Sequence, residues 1–523
     1  MAKSLEIISE QDLDNVIGNR ISLNHKAPQK VVNGKIINYP IEMMRRQIIH
    51  SNTYLTDLIF TGCTFNDVVK IGTIESAGNV EFINCIFNSK VTIQYQTMSF
   101  SEDCIFNSDL HIELSNSHNS GVEISKLNVE GTLELTGRVE LLSVTKINLN
   151  SQAARKQKLL FRVEVGELEI SNVLNTALLF NNSCAFSGIG IIRDVLNSEI
   201  NFGGIAIDTG IEIFNSNVTN LKISNTRGVS RRFSLFESTI AKMEANIGNL
   251  DKLSIIGGSF ENLNLVENNN KESIINIEKV SIFNLKFEKL YNNGLITLRE
   301  LFVPKDGVLV INSSNLGKTD FINCNFSKAL LEFQNSKITE CFFSETDFPK
   351  KVIVNGMEND GQAQLAFGQL STAFQKQGDT IRALEYSSRE VEAHYRKTRW
   401  FSKDFFHKLN LFLNWISNNF GRNWIRGVLF SFSIGLLMFC LLLVSTDKFK
   451  WGYPSLDFTL LPSYLKFMNP LRFFELEDLF KNSSAEGAIK LNGLSYLADF
   501  GGRILIAYGY YQTIQAFRRY GRK

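Results

Sequence analysis

The chain has 523 residues, 44% of them apolar and 21% charged, and a formal net charge of +2. This balance excludes a disordered chain and a polytopic membrane protein, and a charge so near zero argues against bulk binding of nucleic acid. Phe is abundant at 41 residues and Pro scarce at 7, and the Phe residues are not confined to any one apolar segment.

The stretch Met1 to Glu10 lacks a basic region followed by an apolar one, so no secretory signal is expected and the N-terminal mass is expected in the cytosol. The seven cysteines are Cys63, Cys85, Cys104, Cys184, Cys324, Cys341 and Cys440. They form no Cys-x-x-Cys pair, and no histidine lies at ligand spacing from them. Neither a metal nor a cofactor is expected, and the odd number of thiols reads as buried packing groups.

Residues 1–50 are mixed polar sequence, ending near Ile41-Glu42-Met43-Met44, and are expected to form an N-terminal cap on the segment beginning at 51. From 51 to 355 short apolar stretches alternate with polar residues, and Asn and Ser recur at turn positions. A phrase repeats: Phe60-Thr61-Gly62-Cys63-Thr64-Phe65, then Phe82-Ile83-Asn84-Cys85-Ile86-Phe87, then Cys104-Ile105-Phe106. It returns at Phe321-Ile322-Asn323-Cys324-Asn325-Phe326 and Cys341-Phe342-Phe343, and successive cysteines within the two clusters are 22, 19 and 17 residues apart. Such a period belongs to a solenoid. Cys and the Phe two positions on share a strand face, so Cys fits a narrow layer and Phe a wider corner. A metal or redox use of the Cys–Phe repeats is the weaker reading, because thiolate chemistry needs exposure and a nearby cation.

On these phrases the segment resembles pentapeptide-repeat and related right-handed β-helix proteins, in which Phe or Leu and a small residue alternate inside a square coil. The match is clear at 60–106 and 321–348. Between about 110 and 320 only alternation carries it, as in Gly131-Thr132-Leu133-Glu134-Leu135-Thr136, so a generic β-solenoid is expected there.

Over 361–399 the period changes to that of helices: Leu365, Leu370 and Phe374 on one, a break at Gly378-Asp379, then Ile381, Leu384, Val391 and Tyr395 on a second. This hairpin looks like a single tetratricopeptide unit, but one such unit cannot stand alone. It is also similar to the hairpin joining solenoid and membrane helices in pentapeptide-repeat membrane proteins, some with channel-like pores, and the neighbouring segments favour that reading. Residues 400–423 are expected to lie in the membrane interface, with Phe405, Leu409, Phe412, Leu413 and Ile416 on one face and Lys403, Asp404, His407, Lys408, Asn410 and Asn414 mostly elsewhere. An amphipathic helix packed on protein is the alternative.

The run from Val428 to Val444 has no ionisable residue, and a first transmembrane helix is expected over 424–446. All four tryptophans, Trp400, Trp415, Trp424 and Trp451, flank it, as membrane-interface residues do. Residues 447–490 form an outer loop with Pro454, Pro462 and Pro470 and room for a re-entrant segment around 460–474. A second transmembrane helix is expected over 491–517, carrying Asp499, Arg503, Gln512 and Gln515, and the basic tail 518–523 comes after it. Arg422 and Arg426 before the first span and Arg518, Arg519, Arg522 and Lys523 after the second place both termini in the cytoplasm.

The expected fold class is therefore a β-solenoid, which the resemblance implies to be a right-handed, degenerate pentapeptide-like β-helix, followed by a helical hairpin and two transmembrane helices. No potassium-filter string, Walker loop, GxSxG or HExxH occurs, and no enzymatic activity or catalytic residue is expected. Two functions remain open. One is a bacterial inner-membrane platform whose cytosolic solenoid binds a protein partner or oligomerises with copies of itself. The other is a homo-oligomeric, non-selective pore gated by the solenoid, in stress or phage defence, with Asp499, Arg503, Gln512 and Gln515 as candidate lining.

Overall fold

The computed structural model describes residues 6–13, 21–22, 30–43, 54–55, 58–71, 80–95, 100–101, 104–114, 121–125, 127–147, 157–269, 273–354, 356–400, 403–446, 460–471, 476, 479 and 491–521. The chain divides into two compact units, Met1–Lys351 and Val352–Lys523.

The first unit is a parallel β-solenoid of about 11 turns. On one side Ile124, Val144, Ile170, Ile192, Ile213, Leu235, Ile255, Ile277, Leu298, Phe321 and Phe343 are successive partners. They are 20 to 26 residues apart in sequence and all buried. Apolar residues alternate with polar ones because strand side chains alternate between faces, and only the inner face escapes water. The coil beginning at Leu295 shows the plan. Strand Leu295–Arg299 is followed by a bridge at Phe302, strand Val308–Asn312 and a bridge at Asn315. The next coil then starts at strand Thr319–Ile322.

Left-handed residues make the corners. Asn84, Asn172, Asn215, Asn323 and Asn335 have φ between 45° and 54°, the conformation Asn tolerates best after Gly. The residue after each corner points inward and is often small with a donor. Cys85 donates its S–H to the Phe60 carbonyl at 3.3 Å and Cys324 donates to that of Leu298 at 3.3 Å. In other coils Ser314 and Ser336 take the same place, and their hydroxyls donate to Phe287 at 2.9 Å and Ile311 at 3.0 Å. The six solenoid thiols are thus buried packing groups, whereas Cys440, expected to be buried with them, is exposed because it lies on the outer side of an apolar helix. Burial pushes the Cys324 thiol up to about 11, away from thiolate.

Phe forms continuous stacks along the axis. Phe87 lies 4.7 Å from Phe65 and 4.6 Å from Phe106, and Phe180 lies 4.4 Å from Phe161 and 4.9 Å from Phe202. On the outside, Asn88 donates to Asn66 and Asn107 to Asn88, each at 2.6 Å, tying successive coils at one rung.

The second unit is helical: α1 (Asp360–Lys376), α2 (Thr380–Lys397), α3 (Phe405–Asn418), α4 (Trp424–Val444), α5 (Leu460–Phe467) and α6 (Gly493–Gly521). Asn359 caps α1 by accepting from the Gln362 N–H, and Asp379 caps α2 by accepting from that of Arg382, each at 3.0 Å. Gly378, at φ 82°, supplies the left-handed break between them. The pair closes on Ala366, Phe367, Leu370, Ala373 and Phe374, with Tyr386 of α2 stacked 5.3 Å from Phe374. Leu365 and Ile381 lie on these helices as their spacing implies, but both are exposed.

Candidate functional site

The long helices α4 and α6 pack along a line of small residues. Gly427, Ser431 and Gly435 are the buried stripe of α4, four apart and therefore on one face. A Cβ on Gly427 would lie 3.1 Å from the Thr513 Cα, and one on Gly509 would lie 3.2 Å from the Ser431 Cβ. Gly509 of α6 is thus a close-packing position against α4. Short helix α5 lies against both long helices. The Tyr464 hydroxyl donates to the Phe432 carbonyl at 2.8 Å, and the Tyr510 hydroxyl donates to that of Met468 at 3.1 Å. Phe439, Leu442, Phe467, Met468, Ala498 and Ile506 belong to one buried apolar cluster.

Polarity in this bundle is inverted. Ser431, Ser495, Asp499 and Gln512 are buried between the helices, whereas Leu429, Leu437, Leu497, Phe500 and Phe517 are 60–67% exposed. Of the described helices, Trp424–Val444 alone is long and apolar enough to cross a membrane, and only 28% of its apolar stretch is buried. Helix α6 has the length and the apolar exterior, but its own composition does not reach that level.

Each residue singled out in the sequence has a definite place. Asp499 and Arg503, four apart on α6, form an ion pair, Arg503 Nε to Asp499 Oδ2 at 3.0 Å, with Asp499 almost wholly buried. The Gln512 amide oxygen accepts from Asn418 Nδ2 at 2.6 Å, and Asn418 Oδ1 accepts from the Gly421 N–H at 2.7 Å. Gln512 thereby ties the end of α3 to the middle of α6, a contact across 94 residues that no local pattern announces. Gln515 is half-buried and lines a cleft of about 720 Å³ between the hairpin and the last turns of α6. Trp400 packs edge-on against Phe412 at 5.3 Å, Trp415 stacks on Tyr395 at 6.3 Å, and Trp424 meets Phe517 edge-on at 6.0 Å. Trp451 lies outside the described residues.

Helix α3 departs from its expected facing at Lys408. The polar side was expected to look outward, yet Lys408 is buried with Leu411, Ser417 and Asn418, while Phe405, Phe406, Trp415 and Ile416 are exposed. The ammonium sits 3.5 Å from the Tyr395 ring centroid and donates to the Tyr395 carbonyl. A cation–π contact and a backbone acceptor replace its lost hydration. Burial still lowers its pKa.

His394 of α2 and His407 of α3 meet Nε2 to Nε2 at 2.9 Å, and Gln364 lies 3.3 Å from His394 Nδ1. One ring must donate and the other accept, so the contact needs at least one neutral imidazole. Burial holds the His394 pKa below its ordinary value, the charges of His407, Lys397 and Lys408 lower it further, and Asp404 opposes them. In the window between the depressed folded value and the ordinary 6.5, the unfolded chain binds the proton that the folded chain refuses. Stability is therefore expected to fall as pH drops below about 6.5. Imidazole titration by NMR on wild type and His407→Gln checks this: the variant should raise the His394 midpoint and flatten the pH dependence of unfolding.

No protein-family profile, curated protein or solved structure matches the chain.

Proposed function

We propose that the chain is a membrane-anchored β-solenoid, with the helical unit embedded in a lipid bilayer and the solenoid serving as a binding or oligomerisation platform for a cytosolic protein partner or further copies of itself. The observation that carries this reading is the inverted polarity of α4 and α6. In water a helix pair hides its large apolar side chains and exposes polar ones. Lipid reverses that preference, because ionisable and amide groups become costly outside and helix contacts rest on small residues and hydrogen bonds. The Gly427–Ser431–Gly435 stripe, the Asn418–Gln512 bond and the Asp499–Arg503 pair fit those demands. In this reading α6 is the second span despite its polar residues, since Asp499 and Gln512 turn inward and Arg503 pairs with Asp499.

The tryptophans then mark the interface, the basic residues around both spans keep the termini cytoplasmic, and an inner membrane is the natural host for such a chain. The segment around α5 is re-entrant, since Met468 lies beside Gly435 and Phe467 beside Gly502, midway along both long helices. The likeness of the solenoid to pentapeptide-repeat proteins supports its role as a lateral surface for protein contacts.

Flotation and flux measurements on liposomes carrying the full-length chain test the proposal. Wild type should float and resist alkaline extraction, while Leu436→Lys combined with Leu437→Lys, both exposed and near the middle of α4, should lose most insertion, each charge costing about 2.5–3.5 kcal/mol at mid-helix. Ion flux no greater than in empty liposomes is the anchor result. Robust flux from inserted protein would replace the anchor by an oligomeric pore, and failure of wild type to float would remove the membrane reading altogether.

A further inference from the structure

We propose that the cleft between the hairpin and the end of α6 holds the headgroup of an anionic phospholipid from the cytosolic leaflet. This rests on the membrane reading above and assigns a ligand to one place within it. The cleft encloses about 720 Å³, room for a phosphodiester headgroup with part of an acyl chain.

Its two walls differ in chemistry. The hairpin wall brings Gln375, Thr380 and Ser387, and the α6 wall brings Gln515 and Arg518. Among the described residues, none of these five side chains makes a hydrogen bond or ion pair. Gln375, Thr380 and Arg518 are exposed and Ser387 and Gln515 half-buried, so all five are free to exchange water for the polar groups of a guest. The neighbouring hydroxyl of Ser371 is already committed, donating to the Ala383 carbonyl at 2.8 Å. Asp379, next to Thr380 in sequence, caps α2 by accepting from the Arg382 N–H, and its carboxylate lies 3.7 Å from the Arg382 guanidinium. Its charge is thus engaged, and Arg518 remains the formal charge among the cleft residues.

The other half of the guest is apolar. Tyr511 and Ile514 line the same cleft and are 61% and 54% exposed, continuing the apolar exterior of α6 toward Phe517. Height fits as well. Thr513 lies against Gly427 and Phe517 meets Trp424, so the cleft is level with the first turns of α4, where its apolar run begins. Headgroups lie at that depth, beside interfacial tryptophan. A soluble phosphate would use Arg518 and the hydroxyls but leave Tyr511 and Ile514 idle. A phospholipid uses both, its phosphate on the arginine and its chain along α6.

Native mass spectrometry of the full-length chain, released from nanodiscs of mixed phosphatidylglycerol and phosphatidylcholine, tests this. Wild type should retain phosphatidylglycerol preferentially, and Arg518→Gln should reduce that retention about tenfold. Arg522→Gln removes the same charge from the tail and should leave retention within about twofold. Leu384→Trp, which adds bulk at a half-buried lining position without changing charge, should act like Arg518→Gln. Equal losses in the two arginine variants, or full retention by Leu384→Trp, would overturn the site in favour of diffuse attraction to the basic tail. Displacement of the bound species by millimolar inorganic phosphate alone would reassign the cleft to a soluble anion. A chain that never enters nanodiscs would instead sink the membrane reading itself.

Discussion

Phe87→Ala is expected to cost the solenoid about 3–5 kcal/mol, the range for emptying a fully buried aromatic position. The ring is wholly buried, stacked between Phe65 at 4.7 Å and Phe106 at 4.6 Å, with Phe82 edge-on at 5.3 Å. Parallel pairing fixes the spacing of the strands on either side, so the coils cannot collapse into the void. Because a solenoid is stabilised by nearest neighbours, the damage should stay local. Hydrogen exchange should show lost protection in Ile86–Phe87 and its partners Thr64–Phe65 and Cys104–Phe106. Strands beyond Ile213 should keep wild-type exchange. Phe87→Leu, which keeps much of the volume, should lose far less.

The second large effect belongs to the helix pair. Gly427→Ala is expected to destabilise the helical unit by about 1–3 kcal/mol through overpacking. A Cβ at Gly427 already approaches the Thr513 backbone to 3.1 Å, and backbone within a helix cannot swing aside. Gly435 offers an instructive contrast. Its first obstacle is the Met468 thioether, the flexible end of a side chain, so Gly435→Ala should cost less than about 1 kcal/mol. Unfolding of the full-length chain by SDS in mixed micelles, followed by Trp fluorescence, checks the ordering. Equal effects at the two glycines would mean that α4 and α6 do not approach along this stripe.

Much of the fold was legible because two periodicities are physical necessities. The Cys–Phe phrase announced a coil length, since one inward position per coil must be small and a neighbouring one large. The break at Gly378-Asp379 announced the hairpin, because that pair combines a left-handed residue with a helix cap. The apolar run marked α4 almost to the residue. Between 110 and 320 the pattern faded for a reason visible in the corners. There the left-handed position is also filled by Glu237, Lys279 and Glu300, at φ 46°, 57° and 53°, residues that carry no turn signal. The coil's closure imposes the conformation, and the neighbouring ladders bear its cost.

The site was legible in its ion pair and not in its long-range partners. Asp499 and Arg503 are neighbours on one helix, so spacing alone joined them. Gln512, a candidate lining residue, bonds Asn418 of another helix, a partner that no local spacing could announce. Lys408 misled similarly: a lysine reads as solvent-facing until an aromatic ring and a bare carbonyl are brought beneath it by folding. The cleft at Arg518 had no sequence signal, since it is assembled from three helices.

Depth-dependent nitroxide accessibility measures directly whether lipid surrounds both α4 and α6. In a Cys440→Ser background, spin labels at Leu437 and Ile504 would be compared in liposomes with one at Glu212 on the solenoid. Both helix positions are more than half exposed, and Gly502 beside Met438 places them at a similar height. Embedding in lipid predicts frequent collisions with oxygen and few with a water-soluble nickel chelate at Leu437 and Ile504, and the reverse at Glu212. Nickel collisions at Ile504 as frequent as at Glu212 would contradict it, leaving α6 in water and the chain without a second span.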